Sequence, residues 1–105
     1  MGKKDTRNNF RIEVFMRDEY TCQVCDTKRL EEHLDAHHIT DRQEMPNGGY
    51  VKENGITVCK IDCHFKAELY HISEGETWEP ELHPDDLYKK IGSSKELAIE
   101  KSNQL

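Results

Sequence analysis

Two cysteine pairs constrain this chain more than any other feature: Cys22-Gln-Val-Cys25 and, 33 residues later, Cys59-Lys-Ile-Asp-Cys63. Gaps of two and three residues let the thiolates of each pair meet one tetrahedral ion. The four sulfurs therefore read as a structural Zn2+ set with no position left open for substrate. Composition explains the need for such a staple. Of 105 residues only 34% are hydrophobic, against roughly 45–50% in ordinary domains. A core this thin in so short a chain needs a metal or cross-links, and a zinc ion contributes on the order of 10 kcal/mol to folding. The N-terminal MGKKDTRNNF has no apolar leader, and no run of about 18 apolar residues spans a membrane. The expected setting is the reducing cytoplasm, where paired cysteines are ligands more often than disulfides. Four unrelated buried thiols and an iron–sulfur cluster are the alternatives.

Charge is uneven along the chain. Residues 1–34 carry seven Lys or Arg against seven Asp or Glu, residues 35–66 four against five, and residues 67–105 four against nine. Most of the net charge of −6 thus lies in the last third. That lowers the expectation of a nucleic-acid partner without removing it, because the acid is confined to one segment.

Periodicity divides the chain into a flexible 1–9, a domain over 10–75 and a helical acidic extension over 76–105 packed on that domain. Phe10/Val14 and Ile12/Met16 are i, i+4 pairs that predict a short helix ending near Arg17. Leu34–Ile39 and the β-branched Gly55–Cys59 predict two short strands, with a Pro46-Asn-Gly-Gly loop between them. Phe65, Leu69 and Ile72, at i, i+4 and i+7, predict a helix from Asp62 to about Ser73. In the extension, Pro84 with Asp85 and Asp86 opens a helix to about Ile91. Gly92 stops it, and Ser93 with Glu96 forms a capping box for the next helix. Trp78, Leu82, Leu87, Tyr88 and Ile91 are expected to pack on the domain, with the carboxylates facing solvent.

Between the cysteine pairs lie Asp35-Ala-His37-His38-Ile39 and Asn54, with His64 directly after Cys63. Adjacent histidines on a strand point to opposite faces, so one ion does not easily take both. That geometry suits one imidazole as ligand and its neighbour as base; a second zinc site or a chance pair are the alternatives. His33, His71 and His83 have no partner pattern and are expected at the surface.

Arg17-Asp18-Glu-Tyr20-Thr-Cys22-Gln-Val-Cys25, His37-His38-Ile39, Gly48-Gly49, Asn54-Gly-Ile-Thr-Val-Cys59 and Cys63-His64-Phe-Lys66-Ala, in that order over roughly residues 10–70, resemble the four-cysteine, zinc-stapled branch of the HNH endonucleases. The resemblance implies an α+β fold: a small zinc-stabilised ββα-metal (HNH, or His-Me finger) domain with flanking helices. It implies Cys22, Cys25, Cys59 and Cys63 as zinc ligands, His37 and His64 as ligands of a catalytic Mg2+, Mn2+ or other divalent ion, and His38 as general base. Asn54, five residues before Cys59, maps onto the family's Asn, expected to bridge loop and strand and orient His38. Glu68, one helical turn after His64, is a candidate third ligand or else a solvent-facing carboxylate. The family commonly has two residues within the second cysteine pair, and this chain has three.

The function implied is metal-dependent hydrolysis of DNA phosphodiesters, with His38 taking a proton from the attacking water. A monomer with one such site cuts one strand; double-strand cleavage needs a dimer or two encounters. DNA is expected to approach through Arg11, Arg17, Lys28, Arg29, Arg42 and Lys52. The competing readings are a DNA-binding or assembly module that keeps the finger without cutting, and a zinc-ribbon protein adaptor.

Overall fold

The computed structural model describes residues 3–105, with side chains from Asp5 onward. Its elements are α1 (Lys3–Arg17), β1 (Leu34–His38), β2 (Gly55–Cys59), α2 (Asp62–Ile72), α3 (Pro84–Lys90) and α4 (Lys95–Asn103), joined by turns and short 3-10 segments. It is a small α+β arrangement of four helices about a two-stranded antiparallel sheet. Among the described residues, no helix is long and apolar enough to cross a membrane.

β1 pairs with β2 from Leu34 opposite Cys59 to His38 opposite Gly55. α1 covers one face and α2 the other: His38 stacks on Phe10 of α1, whereas His37 meets His64 and His71 of α2. α1 lies so close to β2 that a Cβ on Gly55 would stand 2.5 Å from Val14 Cγ2 and 2.6 Å from Phe10 Cε1. Only glycine permits that approach.

α1 begins well before Phe10. Met1 and Gly2 of the expected flexible segment lie outside the described residues, but Lys3–Asn9 is helical. One of the two apolar pairs in α1 makes the core: Phe10, Val14 and Phe15 are buried, while Ile12 and Met16 face solvent. α2 shows the same choice. Its buried residues are Cys63 and Ala67, and Phe65 and Ile72 are exposed. Cys63 and the short Ala67, rather than the larger apolar side chains, turn toward the sheet.

The second edge of β2 is closed by the chain leaving α1. Asp18 Oδ2 accepts a hydrogen bond from Thr57 N at 2.9 Å, and Gln23 N donates to Thr57 O at 2.9 Å. Arg17 grips Asp18 and donates to the carbonyls of Lys52 (2.6 Å) and Gly55 (2.7 Å).

The C-terminal extension completes the core. Leu82, Leu87, Tyr88 and Ala98 are buried in one cluster with Ile39, Ile56, Val58, Cys22, Cys59 and Cys63, and Ile91 packs partly against it. Most of its carboxylates are exposed. Two expectations fail in detail. Trp78 is 44% exposed and rests on His83 (4.8 Å between ring centroids), because residues 76–81 run irregularly over the surface. The α4 cap is Ser94, whose hydroxyl accepts from Leu97 N at 3.1 Å. Ser93 instead donates to Glu53 O at 2.9 Å, tying the helix junction to the loop before β2.

Candidate active site and metal centres

The first cysteine pair sits in a turn closed by a bridge between Thr21 and Lys28; the second spans the end of β2 and the start of α2. One sulfur from each of Cys22, Cys25, Cys59 and Cys63 lies within 4.8 Å of all the others, a group that could bind zinc. None is disulfide-bonded. The Cys25 and Cys59 sulfurs are 3.5 Å apart, near the ~3.8 Å edge of a tetrahedron with 2.3 Å metal–sulfur bonds. Cys22 Sγ accepts from the amides of Val24, Cys25 and Cys59, each at 3.4 Å, and Arg29 Nε donates to Cys59 Sγ at 3.1 Å. Such donors stabilise thiolate charge. Burial pushes the Cys59 and Cys63 thiols upward, whereas the hydrogen bond with Thr27 draws Cys25 down to about 6, so a cation is what would hold the raised pair as thiolates. Within the second pair, Ile61 projects into solvent at 79% exposure just before α2 begins.

A second cluster forms where β1 crosses α2. Donor atoms of His37, His64 and Glu68 also lie within 4.8 Å of one another. His37 is 1% exposed, and its Nδ1 lies 3.1 Å from Glu68 Oε1 yet out of hydrogen-bond geometry. A buried ring nitrogen with no hydrogen bond, aimed at a carboxylate and a second imidazole, fits a cation ligand. Burial lowers the His37 pKa, keeping it neutral as a ligand must be. Glu68 is held well below the usual carboxylate range by His37 and then His64. It is only half-buried, reaching the cluster from the same helical face as His64, with 3.4 Å between Oε1 and His64 Nε2.

Sequence reasoning missed two supports of this cluster. Asp35 Oδ2 lies 2.8 Å from His64 Nδ1, which leaves Nε2 to face the cluster. The signal was present, since Asp35 is two residues from His37 and shares its strand face. His71, expected at the surface, is half-buried: its Nε2 donates to His38 O at 3.0 Å and its ring stacks on His37 at 5.4 Å. His83 is also engaged, accepting from Asp85 N as the α3 cap. His33 is exposed as expected.

His38 occupies the opposite face. Its ring lies between Phe10 (4.6 Å) and the edge of Tyr50 (4.8 Å). Nε2 is enclosed without a partner, and the residue lines the adjoining groove. Burial, then the neighbouring His37, lowers its pKa to about 4. Asn54 is fully buried and touches neither histidine. Its Nδ2 donates to Thr40 O and Gly49 O, and its Oδ1 accepts from Thr40 N (3.0 Å) and Tyr88 OH (2.7 Å). It is a positioning residue that pins the loop after β1. Gly49 belongs to that lock: its φ is +70°, and a Cβ there would meet Asn54 Nδ2 at 2.7 Å.

The cationic side chains expected to meet DNA are divided. Arg17, Arg29 and Arg42 spend donors on backbone carbonyls, Cys59 Sγ and Tyr50 OH respectively. Lys28 and Lys52 are exposed, and Arg11 is half-exposed beside Glu31. Comparison of the chain with family models, with curated proteins and with solved structures finds no significant match.

Proposed function

We propose that this chain is an HNH-type, metal-dependent DNA endonuclease with a ββα-metal site, stapled by zinc at Cys22, Cys25, Cys59 and Cys63 and working in a reducing compartment such as the cytoplasm. The observation that carries the reading is the split at β1. His37, with His64 and Glu68, forms a three-donor cluster on one strand face. The next residue, His38, lies on the opposite face and lines a groove that His64 also lines. A zinc staple or adaptor would need only the cysteines.

His37 Nδ1, His64 Nε2 and Glu68 would hold the catalytic cation, which when bound supplies positive charge to stabilise the phosphate and leaving oxygen. His38 does the proton chemistry. With its hydrogen on the enclosed Nε2, the neutral ring offers the Nδ1 lone pair to a water in the groove. Phe10 and Tyr50 keep the ring in one orientation and dry on two sides. Asp35 fixes the His64 tautomer, and Asn54 with Tyr88 holds the loop that carries Tyr50 against His38. In-line displacement would leave a 5′ phosphate and a 3′ hydroxyl.

The test is plasmid relaxation with Mg2+ or Mn2+, comparing the natural chain with His38→Ala. Metal-dependent nicking lost in the variant is expected. Equal nicking by both proteins, or none by the natural chain on single- and double-stranded DNA, would sink the reading in favour of a non-cleaving DNA-binding module.

A further inference from the structure

We propose that Arg7 and Arg11 of α1 grip a nucleic-acid phosphodiester in the groove between α1 and β1, an inference that rests on the endonuclease reading for what is cut there. The groove, about 210 Å³, is lined by Arg7, Arg11, Asp35, His38, Tyr50 and His64 among others. It therefore runs past both the His38 ring and the His64 edge of the His37–His64–Glu68 cluster.

Arg7 and Arg11 are one helical turn apart and project from the same side of α1. The Arg7 guanidinium lies 5.5 Å over the Tyr50 ring, and that ring meets His38 edge-on, so Arg7, Tyr50 and His38 form one wall. Arg11 sits over Phe15 at 5.3 Å and approaches Glu31 only to 3.8 Å, with both side chains about half exposed. An ion pair this open contributes little and gives way readily to a better acceptor. The carboxylate of the groove, Asp35, is already engaged by His64 at 2.8 Å. Two planar guanidinium forks thus face a groove whose acid is occupied, a donor set matched to paired phosphate oxygens. Of the five arginines in the chain, the other three have donors committed within the fold. The acidic extension packs elsewhere and lines none of this groove.

The test is fluorescence anisotropy of a labelled DNA duplex with the full zinc-loaded chain carrying His38→Ala, so that binding is read without turnover. Adding Arg7→Ala and Arg11→Ala is expected to weaken binding at least tenfold. The slope of log affinity against log salt should fall by about one, at about 0.9 for the phosphate no longer neutralised. Alanine keeps the helix, and a thermal scan verifies the fold. Removing the same charge at Lys89 and Lys90, exposed at the end of α3, should change affinity less than twofold. Equal losses for both double variants, or no loss for the arginine pair, would overturn the grip. Cleavage by the His38-intact chain is scored separately. A chain that binds through these arginines but cuts nothing overturns the endonuclease reading alone, and a chain that cuts regardless of them overturns the grip alone.

Discussion

The two donor clusters of this molecule share helix α2 but lie toward opposite ends of the β1–β2 pair, and they differ in kind. The cysteine cluster has four identical donors, three of them buried and backed by amide and arginine donors, and offers no free position. The His37–His64–Glu68 cluster has three donors, two only half-buried, and opens toward a groove beside His38. A closed four-sulfur set stabilises the fold. A three-donor set beside a groove lined by a further histidine is the kind of arrangement that the proposed chemistry needs. The difference arises at consecutive residues of α2: Cys63 turns to the first cluster, His64 to the second.

The sharpest way to break that contrast is to remove the first cluster. Stripping zinc with a strong chelator, or Cys22→Ser, is expected to unfold the chain cooperatively, because Cys22 Sγ organises three amides as well as the ion. Circular dichroism melts and metal analysis at one tightly held equivalent check this; an unchanged melt after stripping would remove the structural role.

His38→Ala should lower cleavage by roughly two to four orders of magnitude, the usual range for a lost general base. Zinc content and melting temperature should stay near those of the natural chain, since the side chain sits at the groove rather than in the central core. Loss of zinc in that variant would merge two functions that are here kept apart. His37→Ala and His64→Ala should act differently, raising the Mg2+ or Mn2+ needed for half-maximal cleavage so that added metal partly restores the rate. If His38→Ala is restored equally well by metal, the division between ligand and base is wrong.

The smallest expected effect is at Tyr88→Phe, which touches neither cluster. The Tyr88 hydroxyl bonds Asn54 Oδ1 at 2.7 Å and Thr40 Oγ1 at 2.6 Å in a buried position. Its loss should cost about 1–2 kcal/mol, read as a melt lower by several degrees, with metal content unchanged. A normal melt would mean that the extension and the loop after β1 are not coupled through Asn54.

The local elements were legible from short-range patterns. Gly55–Cys59 as a strand, Asp62 as the start of a helix, Pro84 at the head of another and the pairing of four cysteines all follow from spacings of a few residues, and the structure has them at those places. Opposite facing of His37 and His38 was legible for the same reason: a strand alternates sides every residue. Which surface of each helix is buried depends on the packing of distant segments. Ile12 with Met16, and Phe65 with Ile72, have the same helical character as Phe10 with Val14, but no neighbouring element covers them. Nor could spacing show that Ser94 rather than Ser93 caps α4, or that Arg17 is spent on carbonyls 35 and 38 residues away. His71 joined the site for the same reason, through a carbonyl on another element. Backbone periodicity is a property of neighbours along the chain, whereas burial and hydrogen-bond partners are set by whatever segment folds against it.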